Sequence, residues 1–207
     1  MPPSNVSSAV TDALSPEDVL LFNRFGFGDA RKPAFSCVHH AFEHYARVQP
    51  DAIAVEHCGS SITYGELDRK ANGLATRLRA LGVYPGTRVC LLVQRSISMV
   101  VGILGILKAG AAYVPLDGSI VTQSTLEHVL HDSQAVLALA LKEFVHRVSD
   151  TPAVCLEDTL DSLSSAECIK PADLSSPDDG VYIIYTSGKL QSHRLLPNTK
   201  SLSRDHR

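Results

Sequence analysis

What the 207-residue sequence lacks narrows the field first. Its five cysteines, Cys37, Cys58, Cys90, Cys155 and Cys168, form no C-x-x-C pair, so neither a zinc ribbon nor a thioredoxin-like motif has support. Odd in number and scattered, they read as small core residues or free thiols in a reducing compartment. The N-terminus, MPPSNVSSAVTDALSPEDV, has no basic n-region and no apolar h-region, and no secretory signal is expected. The longest apolar run, Met99 to Leu107, stops at Lys108, far short of the ~20 residues that span a bilayer. No G-x-S-x-G elbow with a Ser-His-Asp order is present, which leaves hydrolase chemistry unsupported. Nor is there an internal repeat. Excess charge is also lacking: the net charge is −3, too small to draw the chain to nucleic acid or an anionic membrane. These absences point to a cytoplasmic protein with no nucleic-acid and no membrane partner.

What is present is an ordinary globular composition, 44% hydrophobic and 20% charged, enough for a real core in one large domain or two small ones. The charge is uneven. Lys189 to Arg207 holds five Lys/Arg against one Asp, so the tail is basic and the body acidic. Such a tail could be a nucleic-acid arm. It has no aromatic side chain for base stacking and no unbroken basic block, and it reads as an unfolded end.

Residues 1–35 are rich in Ser, Pro and Asp and then spell FNRFGFG; without a period, they read as a linker that docks loosely through Phe22, Phe25 and Phe27. From Ser36 the pattern becomes regular. Val38, Phe42, Tyr45 and Ala46 share a helical face closed by Pro50. Ala52 to Glu56 reads as a strand, with Ser61 to Thr63 pairing back after a turn at Gly59-Ser60. Thr63 and Glu66 have capping-box spacing, and Leu67, Ala71, Leu74, Ala75, Leu78 and Leu81 form an apolar stripe that Gly82 terminates. Arg88 to Val93 is apolar almost throughout, as a strand buried on both faces would be. Ser96 caps a nearly all-apolar helix that runs through Lys108 and stops at Gly110. Strands are expected at Ala111 to Leu116, Ala135 to Ala140, Ala153 to Leu156 and Val181 to Tyr185, with a helix begun by Ser124 and Glu127. Asp158 to Asp179 reads as a loop. Strands alternating with helices predict an α/β fold, a mostly parallel sheet flanked by helices.

Three stretches carry a more specific signal: ITYGELDRKANGLATRLRALGV (Ile62 to Val83), GILKAGAAYVPLD (Gly105 to Asp117) and DDGVYIIYTSG, which ends at Gly188. In this order and spacing they resemble the first conserved blocks of adenylation domains of nonribosomal peptide synthetases, within the adenylate-forming, AMP-binding family. AFEHYARVQPDAIAVEH before them resembles the same domains' opening helix and strand. The resemblance implies the N-terminal subdomain part of the adenylate-forming fold, truncated: residues 36–188 a partial adenylation domain, 1–35 like the connector after a condensation domain, and 189–207 a non-homologous tail. It also implies ATP-dependent activation of an amino or aryl acid as an acyl-adenylate. Mg²⁺ would accompany the ATP, and the full-length family hands the acyl group to a phosphopantetheine carrier domain next to condensation domains. By resemblance Thr186, Ser187 and Gly188 are phosphate contacts, since small residues let backbone N–H groups approach phosphate oxygens. After Gly188 the text, KLQSHRLLPN, departs from the family's loop, and no catalytic residue can be carried over. Most of the acid pocket, the ribose-binding Asp and the catalytic Lys have no counterpart. The expectation is a fragment that does not adenylate on its own, or a pseudo-domain that binds nucleotide or a partner without turnover.

One further motif stands outside that resemblance. His40, Glu43 and His44 spell H-x-x-E-H, the inverted zinc-peptidase motif. Against it, His40 and His44 fall on the expected solvated side, and Glu157 and Glu167, the acidic candidates for a third ligand, lie in loop-like text; no metal is therefore assigned. Arg88 and Arg95 flank a buried strand and read as structural or solvated, Asp117 as a cap or turn residue, Tyr64 and Glu66 as helix starters, and Asp178-Asp179 as solvated.

Overall fold

A computed structural model describes residues 14–25, 33–185 and, as backbone, 194–197. The chain divides after Ala34 into two units. The first contains one described helix, α1 (Pro16–Phe25), inside the stretch expected to be linker. Its start follows from local chemistry: the Ser15 hydroxyl accepts from the Asp18 N–H at 3.2 Å, and Glu17 and Asp18 sit at the positive end of the helix dipole.

The second unit is an α/β structure. It opens with α2 (Val38–Val48) and an antiparallel hairpin of β1 (Ile53–His57) and β2 (Ser60–Thr63). The hairpin turns through Cys58 and Gly59 at φ 49° and 78°, the left-handed pair that two-residue hairpin turns require. There follow α3 (Tyr64–Ala80), β3 (Arg88–Val93), α4 (Ile97–Ala109), β4 (Ala112–Asp117), α5 (Gln123–Ser133), β5 (Leu137–Ala140), β6 (Ala153–Cys155), α6 (Leu156–Asp161), β7 (Gly180–Ile184) and β8 (Arg194–Pro197). The main sheet runs β6-β5-β3-β4-β7-β8. Its first five strands are parallel and β8 is antiparallel to β7. Cys90 pairs with Val114, and Leu91 with Leu139. Leu91 and Leu139 lie under Gly102 of α4, whereas Val114 packs with Val129 of α5 and Ile183 of β7. Neighbouring residues of a strand point to opposite faces, so α4 and α5 cover the two sides of the sheet.

The signals that ended each helix in the sequence do so in the structure. Thr63 and Glu66 form a reciprocal capping box. At the other end of α3 the Val83 N–H reaches Leu78 O at 3.0 Å and the Gly82 N–H reaches Arg79 O at 3.0 Å, a Schellman closure around Gly82 at φ +88°. Ser96 caps α4, and Gly110 ends it in the left-handed region. The stripe Leu67, Ala71, Leu74, Ala75 and Leu78 is buried.

Five expectations are corrected. Leu81 is outside the stripe: it is the C-cap of α3 and more than half exposed. On α2, Val38 and Tyr45 face outward while His39, Phe42, Glu43 and Ala46 turn inward, because Glu43 is drawn to a buried ammonium under the helix. The cap of α5 is Thr122, whose extended backbone and hydroxyl receive the Thr125 N–H, while Ser124 lies within the first turn. The region from Leu156 is not strand and loop throughout; Leu156 and Leu160, one turn apart and buried, anchor α6. Finally, Arg194–Pro197, in the tail expected to be unfolded, pair with β7, occupying backbone groups that an edge strand would leave open.

Candidate functional site

Parallel strands bring all their carboxyl ends to one edge, and in open α/β sheets that edge binds ligands where the strand order reverses. Here β4 is added on one side of β3 and β5 on the other, so the reversal falls at the β3–β5 pair, with the loop after β4 beside it. The edge there is tightly built. Asp117 ends β4, and its Oδ1 accepts from the Ser119 hydroxyl (2.6 Å) and N–H (2.9 Å); these hydrogen bonds hold its carboxyl below the ordinary value. The turn role read for Asp117 is therefore correct. A Cβ on Gly118 would lie 2.2 Å from the Phe144 ring. Arg147 donates to Gly118 O (2.6 Å) and Val121 O (2.7 Å), clamping the loop after β4.

On the other flank of β4, β7 delivers the chain to the same edge, with Tyr113 in register with Tyr182 and their rings 5.7 Å apart. The last described residue here is Tyr185, whose hydroxyl donates to Asp132 Oδ2 at 2.6 Å. Burial, then this carboxylate, pushes its phenol well above the ordinary value. Thr186, Ser187 and Gly188 follow directly and lie outside the described residues.

A second constellation, which the sequence did not announce, is a buried ionic cluster between α2, α3 and α4. Lys108, with its side chain 2% exposed, donates to Glu43 Oε1 (2.6 Å), Asp68 Oδ1 (2.9 Å) and Asn72 Oδ1 (2.8 Å). Lys170 binds the other Glu43 oxygen at 2.6 Å. Burial works to raise the Glu43 carboxyl, but the two ammoniums outweigh it and hold it below its ordinary value. A Lys at the end of an apolar helix reads equally well as a solvated charge on the helix dipole, so only packing could reveal this one.

The 162–179 segment is strapped to the same helices. Arg77 pairs with Glu167, Arg79 donates to Ala172 O at 2.7 Å while also reaching Lys108 O and Ala109 O, and His40 Nε2 meets Asp173 Oδ2 at 2.6 Å.

These contacts break up the H-x-x-E-H reading. Glu43 is held by two lysines and is no free base. His44 turns to Phe35 and Tyr45, with ring centroids 5.3 Å from each. The acid that approaches His40 is Asp173, not Glu157 or Glu167, and the second imidazole beside it is His39. Arg88 is structural, donating to Ser133 O and Gln134 Oε1 at 3.2 Å; Arg95 and Asp178 are exposed, and Asp179 accepts from the Ser176 N–H. A cavity of about 500 Å³ between β2, α3 and α4 is lined by the capping Glu66 and by Cys168, but not by His40, Glu43 or His44.

Comparison with known proteins agrees with this architecture. The family model described as AMP-binding enzyme matches residues 42–188, ending on the last of the three phosphate-loop candidates. Adenylate-forming reductase 03009 of Coprinopsis cinerea is 50% identical over 185 residues, 88% of this chain and 18% of the relative; the likeness thus extends beyond residues 36–188. Zwittermicin A synthase ZmaJ of Bacillus cereus is 44% identical over 160 residues, 74% of this chain and 29% of that protein. Among solved structures, the nonribosomal peptide synthetase FmoA3 in its AMPPNP-bound form superposes with a TM-score of 0.75 at 26% identity, covering 89% of this chain and 19% of that one. The N-terminal subdomain of Klebsiella oxytoca NpsA has the same fold, with a TM-score of 0.68 at 21% identity, and this chain covers 42% of it. The chain thus spans about a fifth of the length of the reductase it matches.

Proposed function

The chain belongs to the AMP-binding enzyme family, and from that premise we propose that it is the opening part of an adenylation domain that, in the whole protein, activates a carboxylic acid with ATP. The reaction is attack of the acid on the α-phosphate, giving an acyl-adenylate and pyrophosphate. The observation that carries this reading is the conjunction of family match and topology. The match runs to Gly188, and β7, parallel to and beside β4, leads into Thr186, Ser187 and Gly188 toward the carboxyl edge of the sheet. In this reading backbone N–H groups and hydroxyls of those three residues take phosphate oxygens, and bound Mg²⁺ supplies charge neutralisation for departing pyrophosphate. The described residues contribute the support: the β4 loop closed by Asp117 and Arg147, and the core that sets where β7 emerges.

An amino or aryl acid is the substrate class, and a phosphopantetheine carrier is the acceptor in the peptide-synthetase version. The 50% identity to an adenylate-forming reductase favours a whole protein in which the activated acyl group is reduced, over one that condenses peptides. The polypeptide matches 42% of the NpsA N-terminal subdomain, and we expect it to be inactive on its own. ATP–pyrophosphate exchange by the purified chain, screened across amino and aryl acids, tests this; robust acid-dependent exchange overturns it. ATP binding without exchange, read by calorimetry, supports a nucleotide-binding role for the fragment itself.

A further inference from the structure

We propose that His39, His40 and Asp173 form a divalent-metal site, with zinc the preferred ion, that fastens the 162–179 segment to α2. One donor atom from each residue lies within 4.8 Å of the other two. The two imidazoles share the carboxylate oxygen by oxygen: His40 Nε2 lies 2.6 Å from Oδ2, and His39 Nε2 lies 3.9 Å from Oδ1. Two nitrogens and one carboxylate oxygen are a donor set that zinc accepts, with metal–ligand distances of about 2.0–2.2 Å. Ligand atoms on such an ion stand roughly 3.3 Å apart. A small outward displacement of Asp173, on a partly exposed loop, carries the 2.6 Å separation between His40 Nε2 and Oδ2 to that value.

The second observation is His39 itself. It is 2% exposed, its Nδ1 has no hydrogen-bond partner, and its Nε2 stands beyond hydrogen-bond reach of the nearest acid. With this imidazole buried and its Nε2 held 3.9 Å from the carboxylate, too far for a hydrogen bond, the gap between them is one that an ion would bridge. His40 has the complementary arrangement, its Nδ1 in contact with Ser36 Oγ at 2.9 Å. A metal-bound histidine commonly donates its second N–H in this way, fixing ring and tautomer.

The neighbouring charges permit a cation. Glu43 and Asp68 pair with Lys108 and Lys170, so Asp173, near the Arg79 guanidinium, is the carboxylate that faces the two imidazoles. The fourth coordination position opens to water through the exposed side of Asp173. The consequence is positional. Asp173 lies seven residues ahead of Gly180, the start of β7, so the metal would set where the chain enters the strand that ends at Ile184.

The test uses the 207-residue chain without a histidine tag, stripped with EDTA. Calorimetric titration is expected to give one equivalent of zinc and a raised melting temperature. Cobalt substitution is expected to show ligand-field bands without thiolate charge transfer. Asp173→Asn and His40→Gln, at accessible positions that leave the core intact, should weaken zinc binding at least tenfold and abolish the thermal shift; His44→Gln should change neither. Absence of a stoichiometric site, a thiolate band, or zinc affinity unmoved by Asp173→Asn overturns the proposal. So does loss of zinc in His44→Gln, which would return the ion to the H-x-x-E-H spelling.

Discussion

Replacing Lys108 by Met removes one buried charge with little change in side-chain length. In the native protein the ammonium satisfies Glu43, Asp68 and Asn72 at once. Without it, Glu43, 13% exposed, keeps only Lys170, and the Asn72 carbonyl loses its donor. Breaking a buried pair by deleting one partner costs about 3–5 kcal/mol. Lys170 still shields Glu43 and Asp68 can hydrate, so the lower end applies, about 3 kcal/mol. For a domain of this size each kcal/mol is worth about 2–4 °C in Tm, giving a drop of roughly 6–12 °C by calorimetry. In urea the midpoint should shift at unchanged slope, because the surface exposed on unfolding is the same. Adding Glu43→Leu should recover part of the loss, since an apolar pair of similar volume tolerates burial better than an orphaned carboxylate. A Lys108→Met protein within about 0.5 kcal/mol of wild type would refute the reasoning and mean that water or local rearrangement already satisfies these acids.

Other outcomes follow from the same structure. A Cβ on Gly105 would sit 2.6 Å from Leu74 Cδ2 and 3.0 Å from its Cβ. Gly105→Ala should therefore overpack the α3–α4 contact by more than its helix-propensity gain, for a net loss of about 1–2 kcal/mol in denaturant melts. Arg77, then Ser164, holds the Glu167 carboxyl at about 2, against an ordinary 4.5. A depressed carboxyl stabilises the fold fully above its unfolded value and loses that contribution as pH falls from about 4.5 toward 2; Glu167→Gln should flatten stability against pH in that window, and an unaltered profile would contradict the pairing. Cys58 is exposed while Cys37 and Cys90 are buried, and burial pushes the Cys90 thiol up to about 12. A thiol reagent should thus modify Cys58 quickly and Cys90 only on unfolding, as mass spectrometry of partly labelled protein would show.

Local chemistry alone was sufficient for much of this protein. The Thr63/Glu66 box, the Gly82 and Gly110 stops, the Ser96 cap and the all-apolar Arg88–Val93 strand are interactions within a few residues, and the α/β class follows from their alternation. The stretches around Gly105–Asp117 and Val181–Gly188 also sufficed for the family. What tertiary structure decided was everything that depends on partners distant in the chain. Lys108 is separated from Glu43 by 65 residues and His40 from Asp173 by 133, so no local period could reveal that α2 turns its Glu43 face inward and leaves Tyr45 outside. The same holds for His39, whose burial beside Asp173 comes from a segment that reads as loop. Strand order is the last case: β5 crosses back to the far side of β3 because packing against both sheet faces, not the order of residues, determines which edge each strand joins.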